Sequence, residues 1–381
     1  MKITVSVREL TQALTWVKQA VSSRPALPVL AGVRLTVHGP RLTIAATDYD
    51  VSASDILDAA EGPVSRGETL VGHASLTRAL KPMPAGGLVE ITATKTAITL
   101  RGGGVEANLT PLDVTEYPQL PELPPVVGQA DGEALHRSVE RVARCASTDD
   151  TLPAICCVSL EPDVTQLVVA ATDRYRLAVD EVPWTLAGGS VERLLIPARP
   201  LVKALHGLAK HLVSIHASDT LVGFQGGWRK VTMRRQMGEF ISWRPLMRPA
   251  AQDEVSAVAE AAGLREAVVG ALAAADTKSP MLTLGLADGG LEVCAVSAGQ
   301  DKPLTRQLVT AAHQGGPAVT RYNIRYLDDL LRGFAGIVRL DLAGKTDDEP
   351  PRCRKTMLVS DAEGVDPFRC LLMPIGPGEG K

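Results

Sequence analysis

The chain has 381 residues, of which 45% are hydrophobic and 3% aromatic, so it can build two or three domains with cores filled mainly by Val, Leu, Ala and Ile. Its formal net charge of −3 argues against a protein that binds nucleic acid with its whole surface, although a local basic patch is compatible with that total. The sequence begins without a secretory signal and contains no apolar run of membrane-spanning length, so we expect a cytoplasmic protein with no membrane contact.

The first third predicts a strand, a helix and then several short strands. Apolar residues alternate over 3–7 and recur at helical spacing over 10–21. The alternating segment LTIAATD at 42–48 predicts another strand, and a second helix begins near Ala74. A hairpin with three consecutive glycines follows at 91–112, and the proline-rich run after it predicts an extended linker.

This order of elements is then repeated twice. The segment LVVAATD at 167–173 begins 125 positions after LTIAATD, and a weaker copy, LEVCAVS at 291–297, begins another 124 positions on. The helical Leu76 has its counterpart in Leu201 at the same offset of 125. We therefore predict an α+β protein with three similar domains at residues 1–120, 121–247 and 248–381, the last with a flexible C-terminal tail.

Repeated units of this kind bury their cores separately and join edge to edge, so an arc or ring is expected. Three units close a ring alone or as half of a dimer.

The sequence predicts neither catalysis nor a metal or cofactor site. Asp48 and Asp173 follow strands, where aspartate commonly forms turns, and the third copy has Ser297 at this place. The glycine triplet lacks the sequel of a phosphate loop, and His206 and His211 do not share a helical face. The six cysteines show no CxxC spacing and are expected to be reduced.

Basic residues recur on all six predicted helices. They are Lys18, Arg78, Lys81, Arg137, Arg141, Arg144, Lys203, Lys210, Arg265, Arg325 and Arg332. On one helix such residues usually form a solvated face. On six helices that face the inside of an arc, they would track DNA phosphates without reading bases.

Several segments together resemble the bacterial DNA polymerase III beta subunit, the sliding clamp. They are RPALPVL at 24–30, LTIAATD, LVVAATDRYRLAV at 167–179, GEF at 238–240, Tyr322-Asn323 with Tyr326, and LLMP at 371–374. The resemblance covers essentially the whole chain. It implies a head-to-tail homodimeric ring of six domains with helices lining the hole, double-stranded DNA bound without sequence preference, and no catalytic activity. The implied protein partners are the DNA polymerase III alpha subunit, a clamp loader and other clamp-motif proteins.

The resemblance also implies the positions of three surfaces. A partner-peptide pocket is expected at Ile155, Thr172, Arg174, Tyr175, Arg176, Leu177, Ile241, Leu246, Asn323, Tyr326, Leu371, Met373 and Pro374. DNA contacts are expected at Arg24 and Arg199, which match family positions near DNA, and at Arg137, Arg141 and Lys203, which belong to the basic residues of the predicted helices. The dimer interface is expected at Ala107, Leu109, Ala273 and Ala274. The alternative for Leu177, Leu371 and Met373 is an ordinary core position.

The chain departs from the family pattern at the pocket. The family usually has glycine or a small residue where Arg174 stands, proline at Ile241, and arginine or a short polar residue at Pro245. It also usually ends soon after the Met-Pro segment, whereas this chain continues. These changes suggest a specialised second clamp with altered affinity for partners or for a clamp-binding inhibitor, as in antibiotic self-resistance; random divergence explains them equally well.

Alanines at the dimer edge suggest a weaker dimer, because each lost large side chain forgoes roughly 1.5–3 kcal/mol of burial at most. Two further readings stay open. One is a protein-interaction scaffold without a ring, and the other is a three-domain enzyme with an unrecognised site.

Overall fold

A computed structural model describes residues 1–60, 62–188, 192–247, 255–275, 280–297, 302–315, 319–342 and 356–375. The helices are α1 Val7–Val17, α2 His73–Leu80, α3 Gly132–Ala143, α4 Ala198–Leu208, α5 Ala261–Ala274 and α6 Ile324–Leu331. The first eight strands are β1 Lys2–Ser6, β2 Gly32–His38, β3 Arg41–Thr47, β4 Val51–Asp58, β5 Gly67–Gly72, β6 Leu88–Ala93, β7 Ile98–Gly102 and β8 Val105–Leu109. The next eight are β9 Val126–Asp131, β10 Cys157–Pro162, β11 Gln166–Thr172, β12 Arg176–Leu186, β13 Leu194–Pro197, β14 Leu212–Ala217, β15 Leu221–Gly226 and β16 Arg229–Arg234. The last eight are β17 Ser256–Glu260, β18 Met281–Ala287, β19 Gly290–Val296, β20 Thr305–Gln314, β21 Val319–Asn323, β22 Ile337–Asp341, β23 Met357–Asp361 and β24 Arg369–Leu372.

The predicted order of elements and the α+β class are confirmed. The three repeated segments form β3, β11 and β19, and in the described residues each third of the sequence contributes two α-helices and eight strands. The predicted tail at 376–381 lies outside the described residues.

The chain folds as two compact units, the first of which consists of residues 1–136, 184–191 and 199–235. Its larger sheet has the antiparallel strand order β5-β2-β3-β4-β16-β15-β14-β9. Its smaller sheet has the order β1-β6-β7-β8. The pairing of β4 with β16, with Ala53 opposite Val231, joins strands of the first and second repeats and is called the first joint.

The second unit consists of residues 137–183, 192–198 and 236–381. Its larger sheet has the order β13-β10-β11-β12-β24-β23-β22-β17, which is the same pattern. Its smaller sheet has the order β21-β18-β19-β20. The pairing of β12 with β24, with Ala178 opposite Cys370, joins the second and third repeats and is called the second joint.

The helices form because one face of each is apolar. Helix α1 is typical: Ser6 caps it by accepting a bond from the N–H of Glu9 at 3.4 Å, and Leu10, Leu14 and Val17 are buried at helical spacing. Within the described residues, no helix combines the length and apolarity needed to cross a membrane.

Candidate partner-binding site and DNA-facing residues

The turn between β11 and β12 is held by its own side chains. Asp173 Oδ1 accepts bonds from the N–H groups of Tyr175 at 3.0 Å and Arg176 at 2.9 Å, and Thr172 Oγ1 accepts from Arg174 N–H at 3.1 Å. This fold of the turn places Arg174 at φ 80°, in the left-handed region where a Cβ is unfavourable. The side chain of Arg174 is exposed at the tip.

The equivalent turn of the first repeat has the same conformation. Tyr49, 125 positions before Arg174, has φ 78°, and Asp48 accepts from Asp50 and Val51 as Asp173 does from its neighbours. In the described residues, Tyr49 and Arg174 are the non-glycine residues with positive φ. The repeated Thr-Asp therefore encodes a turn rather than a catalytic carboxylate.

Arg176 is fixed immediately beside this turn. Its guanidinium forms 2.9 Å ion pairs with Asp173 and with Asp329, and it lies 4.5 Å from the ring centre of Tyr326. Only 9% of the Arg176 side chain is exposed, so two carboxylates and an aromatic face take the place of the water that would hydrate its guanidinium group. Its charge is therefore compensated within the chain.

Tyr326 is positioned by the start of helix α6. Asn323 is the N-cap, and its Oδ1 accepts from the N–H groups of Arg325 at 3.0 Å and Tyr326 at 3.3 Å. The rings of Tyr326 and Tyr175 stack at a centroid distance of 6.2 Å with 25° between their planes. Burial raises the pKa of Tyr326, so its hydroxyl stays protonated.

The second joint brings the C-terminal strand into the site. Leu177 on β12 lies opposite Leu371 on β24, and the N–H of Met373 donates to the carbonyl of Tyr175 at 2.9 Å. Leu177 and Leu371 are 4% and 5% exposed, whereas Met373 is 42% exposed. The buried leucines form the floor, and the residues beyond the strand end reach solvent.

A loop at 236–247 packs on the same floor through a buried acid. Glu161 accepts from Trp243 Nε1 at 2.9 Å and from Arg244 Nη1 at 2.8 Å, and forms a 2.9 Å ion pair with Arg193. Trp243 joins the apolar cluster of Leu177 and Leu371. The rest of that cluster is Cys157, Val168, Ala170, Val179, Leu195, Phe240, Met247 and Leu358.

Large apolar side chains remain exposed around this cluster. Tyr175 is 55% exposed, Leu246 54%, Ile241 37% and Met373 42%. An apolar floor with exposed apolar neighbours and a few polar groups suits a peptide that inserts hydrophobic side chains. We call these four residues the apolar rim.

The thiols beneath this site are not reactive. Burial raises the pKa of Cys145 to about 12 and that of Cys157 to about 12. Both therefore remain thiols at neutral pH. In the described residues, no group of three or more His, Cys, Asp or Glu side chains could hold a metal ion.

The structure places the predicted pocket residues in the second unit. Ile155 is half-buried, and its carbonyl accepts from Ser147 N–H at 2.8 Å; Pro374 is half-buried after β24. Sequence reasoning missed Glu161, Trp243 and Asp329, which hold the pocket residues in place. No local signal distinguishes Glu161, because Trp243, Arg244 and Arg193, the partners that connect it to the pocket, lie far away in the sequence.

Four of the five predicted DNA contacts are exposed cations: Arg24, Arg137, Arg199 and Lys203. Lys203 lines a cleft of about 1140 Å³ between α1 and α4 in the first unit. The other charged or titratable residues of this cleft are Lys18, Glu133, His136, His206, Lys210, His211 and Arg229. Cations outnumber acids there, as a phosphate-facing surface requires.

The prediction for Arg141 needs correction. Its side chain is 12% exposed, and Nε donates to Asp180 at 2.7 Å while the two terminal nitrogens donate to Asp366 at 2.7 and 2.8 Å. A guanidinium already bonded to two carboxylates is not available to a DNA phosphate. Helical spacing showed that Arg141 is on a helix but not that this face is covered.

The predicted dimer-edge residues lie on an edge strand and at the end of a helix. Ala107 and Leu109 are half-buried on β8, the outer strand of the first unit's smaller sheet, and no described strand pairs with its outer edge. Ala273 and Ala274 are exposed at the end of α5 in the second unit.

Comparison with known proteins identifies the family. The profile of the DNA polymerase III beta subunit, N-terminal domain, matches residues 1–121, and that of its central domain matches residues 129–240. The beta sliding clamp of Streptomyces coelicolor is 31% identical over 98% of this chain and 99% of its own length. A beta sliding clamp homolog, GriR of Streptomyces muensis, is 30% identical over 98% of this chain and 99% of its own length.

Solved structures share the fold. A crystal structure of the DNA polymerase III subunit beta from Pseudomonas aeruginosa has a TM-score of 0.88 at 22% identity, covering 98% of this chain and 100% of that chain. A sliding clamp from the same organism bound to griselimycin has a TM-score of 0.89 at 23% identity, with 99% of both chains covered. From its sequence profiles, full-length relatives and fold, the chain belongs to the family of bacterial DNA polymerase III beta subunits, the sliding clamps.

Proposed function

We propose that this chain acts in the cytoplasm as a DNA sliding clamp, a processivity subunit without catalytic activity of its own. Two copies close head to tail around duplex DNA and tether the polymerase and other clamp-motif proteins. Each copy contributes three domains, with boundaries near 120 and 247.

The observation that carries this proposal is the recurrence of one sheet pattern. Each unit contains one sheet of eight strands in the same order and one smaller sheet of four strands. Unpaired strand edges favour addition of another strand. If the four-stranded sheet of the first unit in one copy joins that of the second unit in another copy, a further eight-stranded sheet results. Two such contacts close a ring of two copies.

The exposed cations supply a sequence-independent interaction with DNA. Arg24, Arg137, Arg199 and Lys203 are candidates because they are exposed on or near the helices, and phosphate contacts need charge but no base readout. A net charge of −3 over the chain keeps this interaction local.

Partner proteins bind the apolar rim through short linear motifs. The buried Leu177 and Leu371 accept inserted apolar side chains, while the fixed Arg176 and Asn323 keep the surrounding turn and helix in place. The polymerase alpha subunit and the clamp loader are the expected partners.

A topological assay tests the proposal. The chain is loaded with a clamp loader onto a nicked circular plasmid and separated from free protein at high salt, which removes simple electrostatic binding. We expect retention on the circle and release when the plasmid is linearised. Equal retention on both forms, or on neither form while the peptide still binds, points instead to a scaffold without a ring.

A second candidate is a specialised clamp with altered ligand affinity. Arg174 favours it: an exposed arginine occupies a left-handed position next to the apolar rim, where the resemblance to the family implies glycine or another small residue. Two comparisons support this candidate: one relative is a beta sliding clamp homolog designated GriR, and one solved clamp of this fold is bound to griselimycin. We propose that Arg174 lowers affinity for griselimycin-like inhibitors, which would make this copy resistant.

The affinities of a consensus clamp-motif peptide and of griselimycin for the chain and for Arg174→Gly test this role. A specialised pocket predicts that Arg174→Gly increases griselimycin affinity more than peptide affinity. If the wild-type chain and Arg174→Gly bind each ligand equally well, the specialised role is excluded and the proposal of an ordinary clamp remains.

A further inference from the structure

The first joint contains a cation, an aromatic ring and an acid. Trp16 on α1 lies 5.6 Å from the guanidinium of Arg229 on β16, and Arg229 Nε donates to Asp55 on β4 at 3.2 Å. Trp16 also donates from Nε1 to the carbonyl of Ser54 at 2.8 Å. Its ring packs against Gly207 on α4, where a Cβ would not fit.

The second joint contains the same three groups, with the cation and the ring exchanged. Arg141 on α3 lies 4.4 Å from the ring centre of Phe368, next to β24, and donates to Asp180 on β12 at 2.7 Å. The Phe368 ring packs against Gly333 after α6, where again a Cβ would not fit.

These residues occupy equivalent places. Trp16 and Arg141 are both the tenth residue of their helices. Arg229 and Phe368 each stand two residues before the strand residue at the centre of the pairing, which is Val231 in one joint and Cys370 in the other. Asp55 and Asp180 are 125 positions apart, like the repeated strands themselves.

The same equivalence assigns the residues of the missing third joint. On β20, Thr305 lies opposite Ala295 as Ala178 lies opposite Ala171, so Thr305 corresponds to the central Ala178. On β8, Ala107 lies opposite Leu100 as Val231 lies opposite Phe224.

In the third joint, the helix position of Trp16 and Arg141 is therefore Gly270. The strand position of Arg229 and Phe368 is Val105, and the position of the acid is Gln307. Gly270 is the tenth residue of α5, Val105 stands two residues before Ala107, and Gln307 stands two residues after Thr305. A Cβ built on Gly270 would lie 3.6 Å from Gln307 Oε1, so these two already face each other as the acid and the helix residue do elsewhere. None of the three is charged or aromatic.

We propose that the contact between copies, in which β8 of one copy faces β20 of the other with Ala107 opposite Thr305, is the weakest of the three joints because it lacks the cation–aromatic–acid set. The proposal rests on the proposed function, since it assumes that the clamp closes with a second copy. The same register sets Glu106 opposite Arg306. Both side chains are exposed and oppositely charged, and each now bonds within its own sheet, to Arg101 at 2.8 Å and to Glu292 at 3.2 Å.

A transplant of the second joint tests the composition of this contact. The variant Gly270→Arg, Val105→Phe and Gln307→Asp carries the set of the second joint, and the dimer dissociation constant is measured by sedimentation against the wild-type chain. We expect the dimer dissociation constant to fall by about tenfold or more, and labelled copies to exchange more slowly between dimers. The matched control, Gly270→Ala alone, adds volume without the set and should leave the constant within about threefold.

Charge reversal tests the register independently of whether the transplant packs well. Glu106→Arg and Arg306→Glu should each raise the dissociation constant by about tenfold, and the double variant should restore it to near the wild-type value. If the wild-type chain dimerises but neither the transplant nor the reversals change its dissociation constant, the inference fails and the ring survives. If the wild-type chain stays monomeric at about 100 μM, the proposed dimeric ring is excluded as well.

Discussion

Arg141 and Asp366 form a bidentate ion pair, with Nη1 donating to Oδ2 at 2.7 Å and Nη2 to Oδ1 at 2.8 Å. The two residues are separated by 225 positions in the sequence. Because Arg141 Nε also donates to the buried Asp180 on β12, one guanidinium links a strand of the second repeat to the turn before β24 in the third repeat. The second joint thus combines a backbone ladder with a charged contact inside it.

We expect Arg141→Ala to destabilise the protein by about 3–5 kcal/mol, because it leaves the carboxylate of Asp180 buried without its cation. The free energy of unfolding in urea measures this change. Arg137→Ala, on the exposed face of the same helix, is the matched control and should cost about 0.5 kcal/mol or less. Equal losses for the two variants would contradict the assigned role of Arg141.

Acid should weaken the same contact. Burial works to raise the pKa of Asp366, but the hydrogen bonds from Arg141 and from Phe368 N–H outweigh it and hold the pKa below the ordinary value of 3.8. A carboxylate with a lowered pKa contributes stability that is complete above its unfolded pKa and is lost as the pH falls through its folded pKa. Asp366→Asn should therefore make the free energy of unfolding less dependent on pH on the acid side. An unchanged acid slope would show that Asp366 does not contribute.

Arg174→Gly should stabilise the chain by up to about 1 kcal/mol, because glycine adopts the left-handed conformation without a Cβ clash. Tyr49→Gly at the equivalent turn of the first repeat should give a similar gain in urea unfolding. Arg174→Ala retains the strained conformation and should give none. A gain for alanine as large as for glycine would assign the effect to the arginine side chain instead.

Tyr326→Ala should weaken binding of a consensus clamp-motif peptide by about tenfold or more, because it removes the ring under both Tyr175 and Arg176. Calorimetric titration of the peptide measures this loss. Tyr326→Phe keeps the ring and should bind nearly as the wild type. Retention on circular DNA should not change in either variant, since the proposed DNA contacts lie elsewhere.

Lys203→Ala should reduce the slope of log binding constant against log salt for duplex DNA by about 1, as expected when one phosphate contact is removed. Fluorescence titration over a series of salt concentrations gives the slope. Lys95→Ala is the control, since Lys95 is an exposed lysine in the turn between β6 and β7. A similar change for both lysines would indicate a nonspecific effect of net charge.

The repeat could be predicted from the sequence because equivalent strands kept both their apolar alternation and their spacing, as Ala46 and Ala171 show. The class, the element order and the turns after β3 and β11 followed from that. The second joint could not be predicted, because helical periodicity places Arg141 on a surface without showing that Asp366 covers it. Glu161 was missed for the same reason: Trp243, Arg244 and Arg193, which tie it to the loop and the strand around it, come from elsewhere in the sequence.

The exchange of cation and ring between the first two joints limits how either can evolve. Changing Trp16 to arginine alone would set two guanidinium groups against the single carboxylate of Asp55, and changing Arg229 to phenylalanine alone would leave that carboxylate buried among rings. Either single change should therefore destabilise the first joint, whereas the paired change would reproduce the cation on the helix and the ring on the strand that the second joint has. The equivalent residues of the two joints are exchangeable as a pair and not one at a time.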